Sequence, residues 1–312
     1  MKKLYFATDI HGSEICWKKF LASAAFYEAE VLVLGGDLSG KAIVPVITEG
    51  SRASGKLLGS TWELETEAEI LAFEKNVSSR GYYPVRMSPE ERDELLAKPE
   101  LLDARFMKEL LDTLQRWISM AEERLPQGVR CFVCPGNDDP PEVDALFAQS
   151  PRIENTEGRA VELGKGFSMV STGWTNHTPW ATYREEDETA LADRIARAVG
   201  NPSPHDKLLF NLHCPPYASG LDDAPEMSED FTLKNAGQST VPVGSRAVRE
   251  AIEMIQPLLS LHGHIHEAKG VTRLGRTLCV NPGSLYEQGV LQGLLVDLDA
   301  KKGIRSYALT TG

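Results

Sequence analysis

Five short apolar runs in this chain each stop abruptly at a polar cluster. Residues 3–8 (KLYFAT) lead into TDIHG, 31–34 (VLVL) into GGDLSG, and 130–134 (RCFVC) into PGNDD. In the second half, NLHCPP closes the run over 207–212 and HGHIH closes the run over 258–262. Between the first two runs, SEICWKKFLASAAFYEA places Ile15, Phe20, Leu21, Ala24 and Ala25 at helix-like spacing. A strand–helix–strand opening favours parallel pairing, because parallel strands need a crossover connection. The pattern commits the chain to an α/β fold whose polar clusters collect where strands end, the usual place for ligands in open α/β sheets.

The clusters share one chemistry. LSLHGHIHE (259–267) packs His262, His264 and His266 into five positions of a chain with seven histidines. Side chains two apart on a strand face the same way, and imidazoles gathered on one face repel if protonated and are poorly buried if unpaired. A metal ion satisfies several at once. On this stretch alone, hydrogen-bonded histidines without a metal fit as well. Taken singly, Asp9 or Asp37 reads as a turn or cap residue and His213 as a satisfied core histidine. Together the clusters offer Asp9, His11, Asp37, Asn137, His213, His264 and His266. Nitrogen and oxygen donors without thiolate suit Mn, Fe or Zn, with Ni and Mg as further candidates. Seven donors exceed the needs of one open site and suit two divalent ions sharing a carboxylate.

The chain's 312 residues fit one large domain or two modest ones, and 42% hydrophobic content is ordinary for a globular core. We read a single domain over 1–312. A net charge of −12 gives no general attraction for nucleic acid or anionic lipid. No apolar run approaches the ~18 residues of a membrane span, and Asp9 and His11 interrupt the first run too early for a secretory signal. Five scattered cysteines argue for a reducing, cytoplasmic setting, and CFVC (131–134) reads as core.

A helical stripe covers 106–125, and further helices are expected over 186–199 and 246–256, the last with Ser245 as N-cap. The interval 41–105 reads as an insertion, a lid or an interface. It opens with two strands, KAIVPVI and KLLGSTWELE, separated by a hairpin loop TEGSRASG; helix-prone stretches follow, interrupted by SRGYYPVRMSPEE.

The order Asp-x-His, Gly-Asp, Gly-Asn-x-Asp, a lone His and Gly-His-x-His, running from residue 9 to residue 266, resembles the calcineurin-like metallophosphoesterase family. NPGS at 281–284 extends the resemblance to compact microbial members. The resemblance implies a two-sheet β-sandwich flanked by helices, with a dinuclear centre at the strand ends. It implies that Asp9, His11 and His266 hold one ion, Asn137, His213 and His264 the other, and that Asp37 bridges them. The implied activity is hydrolysis of phosphate esters. One departure stands out: the family's Gly-Asn-His-Asp is here Gly136-Asn137-Asp138-Asp139. As a carboxylate, Asp138 would repel phosphate, and it donates a proton only if its pKa is raised, which puts leaving-group catalysis in doubt. Asp139 matches the family's last Asp and is expected to orient neighbours. His262 lies outside the shared pattern, with a supporting role favoured over a ligand role.

Two loops are candidates for the substrate pocket. TGWTNHTPWATYREEDE (172–188) supplies His177 and Arg184, and CPPYASGLDDAPEM (214–227) supplies Tyr217 and Asp222. The combined reading is a hydrolase acting on a small phosphodiester or nucleotide-like ester. A phosphomonoesterase or protein phosphatase, and a non-catalytic metal-bearing scaffold for a protein partner, are the alternatives. The acid excess generates a first prediction. A protein that neutralises many phosphates loses affinity steeply with salt, so long DNA and RNA should show no salt-sensitive binding. Tight binding at low salt that vanishes by moderate salt would reveal a basic groove instead.

Overall fold

Lys2–Ala7 and Val31–Leu34 pair in parallel, Leu4 opposite Val31 and Ala7 opposite Leu34, with the helix Glu14–Phe26 crossing between them. The structure is a computed structural model and describes residues 2–200, 207–228, 230 and 232–312. Arg130–Val133 and Ile153–Asn155 extend the parallel array on one side. The antiparallel strands Gln292–Asp299 and Gly303–Thr311 complete a six-stranded sheet on the other. A second, five-stranded sheet holds Phe167–Thr172, Lys207–Leu212, Leu259–Leu261 and Thr277–Asn281 in parallel, with Gly270–Leu274 antiparallel at its edge.

Strand alternation sorts the core into layers. Leu4, Phe6, Val31, Val33 and Phe132 point from the first sheet toward Met169, Leu209, Leu259, Leu261 and Val280 of the second. Tyr5, Ala7, Leu32, Leu34 and Val133, the alternate residues, pack on Trp17, Phe20, Leu110, Leu114 and Trp117 of the helices Glu14–Phe26 and Pro99–Arg124. On the far side, Val170, Leu208, Phe210 and Leu212 meet Leu191 and Ile195 of Glu188–Val199 and Val248 and Ile252 of Arg246–Ile255. The architecture is the expected two-sheet sandwich flanked by helices. All five cysteines are buried and free. Among the described residues, no helix is long and apolar enough to cross a membrane.

The segment over 41–105 departs from its expected layout. Ile43–Glu49, Arg52–Leu57, Ser60–Leu64 and Tyr83–Met87 form a separate four-stranded sheet under the helix Glu67–Ser79, with a core of its own including Val46, Leu57, Ile70 and Phe73. KLLGSTWELE is not one strand, because Leu58 and Gly59 at φ 48° and 82° turn the chain inside it. Most of the expected loop TEGSRASG is strand, and the turn is confined to Gly50 and Ser51. Within the expected interruption, Tyr83–Met87 pairs in parallel with Ile43–Glu49. The helix expected to start at 106 starts at Pro99, where Leu101 is exposed and leaves no buried stripe to read.

Trp17 and Trp117 stack at 5.1 Å with an interplanar angle of 6°, and both are fully buried. Trp17 Nε1 also donates to the Trp117 carbonyl at 3.2 Å. Trp117→Ala should therefore cost about 3–5 kcal/mol, read as a lower urea midpoint in equilibrium unfolding. A loss below about 1 kcal/mol would show that the helix–sheet seam repacks around the void.

Candidate metal centre

The strand ends that carry the expected ligands are held in sparsely populated backbone conformations. Asp9, His11, Asp37 and His264 have φ of 51°, 37°, 49° and 67°, a region that costs non-glycine residues of order 1–3 kcal/mol each. Two loops hold one another there: Asp9 N donates to Gly36 O at 3.0 Å, His11 N to Asp37 O at 2.9 Å and Gly12 N to Leu38 O at 2.7 Å. Two glycines let the side chains converge. A Cβ on Gly36 would lie 2.3 Å from His213 Nδ1, and one on Gly136 would lie 2.2 Å from Asp37 Oδ1.

Six side chains meet in two groups. Donor atoms of Asp9, His11 and His266 lie within 4.8 Å of one another, as do those of Asp37, His213 and His264. Asp37 Oδ2 stands between them, 3.6 Å from His11 Nε2 and 3.3 Å from His213 Nε2. Asp9 Oδ1 is 3.4 Å from His266 Nε2 and 3.8 Å from His213 Nε2. His11, Asp37 and Asp138 form a third group of the same tightness.

Neighbours aim these donors inward. His213 Nδ1–H donates to Gly35 O at 3.1 Å, which leaves Nε2 buried without a partner. Asn137 Nδ2 donates to Thr182 Oγ1 at 2.9 Å and to Asp138 Oδ1 at 3.0 Å, leaving Asn137 Oδ1 without one. His11 Nδ1 is likewise unpartnered. Orphaned buried atoms cost about 1–3 kcal/mol each, and His11 Nε2 and His266 Nε2 face each other at 3.0 Å. This donor set fits divalent cations.

The charges agree. Burial works to raise the Asp9 and Asp37 carboxyls, but His213 together with His266 at Asp9, and with His11 and Lys41 at Asp37, outweighs it, and both are held below the usual carboxylate range. Burial lowers His213, yet Asp37 and Asp9 override it and push the imidazole up to about 9. His264 is pushed down to about 4 by burial and the charge on His213. The His213 imidazolium is the positive charge between the two carboxylates, and a divalent cation would take its place by displacing the proton.

The other expected residues serve the frame. Asp139 is fully buried and accepts from Leu38 N at 3.0 Å, Ser39 N at 2.8 Å, Ser39 Oγ at 2.5 Å and Gly136 N at 2.7 Å. It ties the Asp37 loop to the Asn137 loop and has no oxygen left for a substrate. His262 Nδ1–H is shared between Leu212 O at 2.8 Å and Cys214 O at 3.0 Å, bracketing His213. Two substrate expectations need correcting. Arg184 is buried, its guanidinium committed to Asp139 O at 2.8 Å, Pro140 O at 3.1 Å and Asp144 Oδ2 at 3.1 Å. Asp222 is buried and accepts from Ala218 N, Ser219 N and Gly244 N. Tyr217 lies under the Arg246 guanidinium, 4.1 Å from ring centroid to Cζ. His177 stands in solvent 3.7 Å from Glu185.

Tyr286 and Lys41 escaped the sequence reading, and the NPGS motif gains a physical role. Tyr286 packs on His11 and His266, with ring centroids at 4.7 and 5.8 Å. Ser284 Oγ donates to Asp9 O at 2.6 Å and Asn281 Nδ2 to Ile265 O at 2.9 Å, so NPGS braces the loops that carry Asp9 and the histidines. Lys41 pairs with Asp138, whose carboxyl is raised to about 6 by burial and Asp37, with Lys41 opposing.

Protein saturated with divalent metal should approach about two ions per chain. Asp37→Asn should lower that content and the affinity of both sites. At 100 times its Kd each ion adds about 2.7 kcal/mol of stability, so chelation should lower the thermal midpoint. Saturation at one ion, with Asp37→Asn unaltered, would remove Asp37 from the bridging position.

No family model matches the chain. Over 151 residues it is 28% identical to the uncharacterized protein MJ1162 of Methanocaldococcus jannaschii, a match covering 47% of this chain and 61% of that one. The matched stretch thus spans about three fifths of that relative. A solved crystal structure superposes with a TM-score of 0.58 and 18% identity, covering 99% of this chain and 98% of the other. The crystal structure of TT1561 of Thermus thermophilus gives a TM-score of 0.50 and 17% identity, covering 100% and 98%. At these identities the likeness is one of fold. Two packed sheets with helices on their outer faces are the arrangement this chain shares with those structures over nearly its whole length.

Proposed function

We propose that this chain is a metallophosphoesterase that hydrolyses a small phosphodiester or nucleotide-like ester at two divalent ions. The observation that carries the reading is the convergence of Asp9, Asp37, His11, His213, His264 and His266, the first four buried, with His11 Nδ1, His213 Nε2 and the neighbouring Asn137 Oδ1 left without hydrogen-bond partners. Asp9, His11 and His266 would hold one ion, Asn137, His213 and His264 the other, with Asp37 shared. Mn, Fe or Zn suits this mixture of nitrogen and oxygen donors. When bound, two such ions supply a water of lowered pKa and offset charge developing on the phosphoryl oxygens.

The protein's part is positioning, which phosphoryl transfer needs more than covalent help. The Gly35 carbonyl fixes the His213 tautomer, and Thr182 fixes the Asn137 amide. Asp139 holds the two loops that present Asp37 and Asn137 at a fixed separation. Trp180 and Tyr183 are exposed in the same loop as Thr182. Exposed aromatics in the loop whose Thr182 holds the Asn137 amide suit an ester with a flat organic group. That placement supports the nucleotide-like substrate, and the net charge of −12 supports a small one.

The test is a turnover screen of phosphomonoesters, phosphodiesters and cyclic nucleotides with Mn, Fe, Zn, Ni and Mg. Small diesters should be turned over in the presence of metal and not after chelation. Asp37→Asn should lower kcat/KM by more than about 100-fold, beyond the usual effect of disturbing a supporting residue. Metal-independent turnover, or full activity in Asp37→Asn, would overturn the reading.

A further inference from the structure

A carboxylate at position 138 is an unexpected neighbour for a phosphate, since it adds negative charge beside Asp37. The structure sets a lysine against it. Lys41 Nζ pairs with Asp138 Oδ2, and that same oxygen lies 3.7 Å from His11 Nδ1. The lysine side chain is 37% exposed and that of Asp138 is 21% exposed, so the pair stands between the buried donors and solvent. Burial works to lower the Lys41 pKa, but Asp138, Asp37 and Asp9 outweigh it and hold the ammonium charged. Its charge is felt in turn at His11, Asp37 and His266.

Lys41 is also anchored from its own backbone. Its N–H donates to Gly81 O at 3.0 Å. Gly81 has φ 85°, and a Cβ there would lie 2.1 Å from the His11 carbonyl and 2.8 Å from the Tyr286 ring. The segment after Asp37 is thus pressed against the loop of His11, and the lysine emerges from that contact beside the donor cluster.

We propose that Lys41 binds and orients the phosphate of the substrate, and that Asp138 is its resident anion, displaced when phosphate arrives. This rests on the phosphoesterase reading above. A partly exposed ion pair is worth little, and Asp138 is repelled by Asp37 and Asp139, so exchanging it for a phosphate oxygen is cheap. The new contact is a charge-assisted hydrogen bond, among the strong ones. The inserted segment thereby returns to the site a positive charge absent from position 138.

The experiment is calorimetric titration of inorganic phosphate into metal-loaded protein, with metal content measured on the same samples. Lys41→Met should weaken phosphate binding by about 10- to 100-fold, the worth of one hydrogen bond to a charged group. Lys41→Arg should stay within about 3-fold of wild type, since the charge is kept. Asp138→Asn should tighten phosphate by about 3- to 10-fold by freeing the lysine and removing a like charge. The double variant should bind phosphate more weakly than Asp138→Asn, because freeing the lysine accounts for part of that gain. Lys41→Gln carries the same expectation as Lys41→Met should the latter fail to fold. Unchanged affinity in metal-loaded Lys41→Met, or weaker phosphate binding in Asp138→Asn, overturns the proposal. So does loss of metal in Asp138→Asn, which would make Asp138 a metal ligand. Wild-type protein that takes up no divalent metal overturns the phosphoesterase reading instead.

Discussion

Two carboxylates, Asp9 and Asp37, are buried almost completely within a few ångströms of the same histidine. Burying ionised groups together is among the most expensive things a fold can do, and much of the architecture can be traced to making it possible. The strands Lys2–Ala7 and Val31–Leu34 lie side by side and end on the same edge, so the carboxylates arrive from neighbouring strands. Backbone amides take up part of each charge: His264 N donates to Asp9 at 3.0 Å, and Asp138 N to Asp37 at 3.0 Å. The remaining charge faces imidazoles of the second sheet. The strain at Asp9, His11, Asp37 and His264 is local and is spread over elements whose cores are independently packed.

The sandwich was legible in the sequence because burial on both faces leaves a signature. Runs such as VLVL have no polar face, and the alternation of Leu4 and Phe6 against Tyr5 and Ala7 feeds two cores from one strand. The convergent polar side chains were legible because each follows such a run directly. What spacing could not show is the partner of a buried polar side chain. Arg184 and Asp222 have the composition of substrate ligands, yet their partners are backbone atoms and an aspartate brought near by loop conformation. Lys41 was missed for the converse reason: an ordinary lysine after a glycine becomes notable only when Gly81 folds back against it.

The segment over 41–105 illustrates the same limit at the level of elements. Its sheet is half exposed, Ser60–Leu64 most of all, so its strands lack the unbroken apolar runs of the central sheets. Leu58, Gly59 and Gly50 turn by positive φ, and a leucine carries no sign of that conformation. The segment nonetheless approaches the site closely, through Lys41 and through Gly81 beneath Tyr286. It has a core of its own and a direct contact with the loop of His11, which makes it a structural wall of the site as well as an excursion from the sandwich.

Adjacent residues Asp138 and Asp139 show how environment, and not residue type, assigns a role. Asp139 is enclosed by four donors from Leu38, Ser39 and Gly136. Removing its carboxylate would leave those donors unpaired in the interior, each at about 1–3 kcal/mol, and would release the loops of Asp37 and Asn137 from one another. Asp138 points the other way along the same turn. It keeps one oxygen on the Asn137 amide and gives the other to a solvent-facing lysine. A carboxylate so placed can give up its partner to an incoming anion without disturbing any buried hydrogen bond of the frame. The two aspartates therefore divide the work of the loop: one fixes where Asp37 and Asn137 stand, and the other sets the charge met by a ligand approaching them.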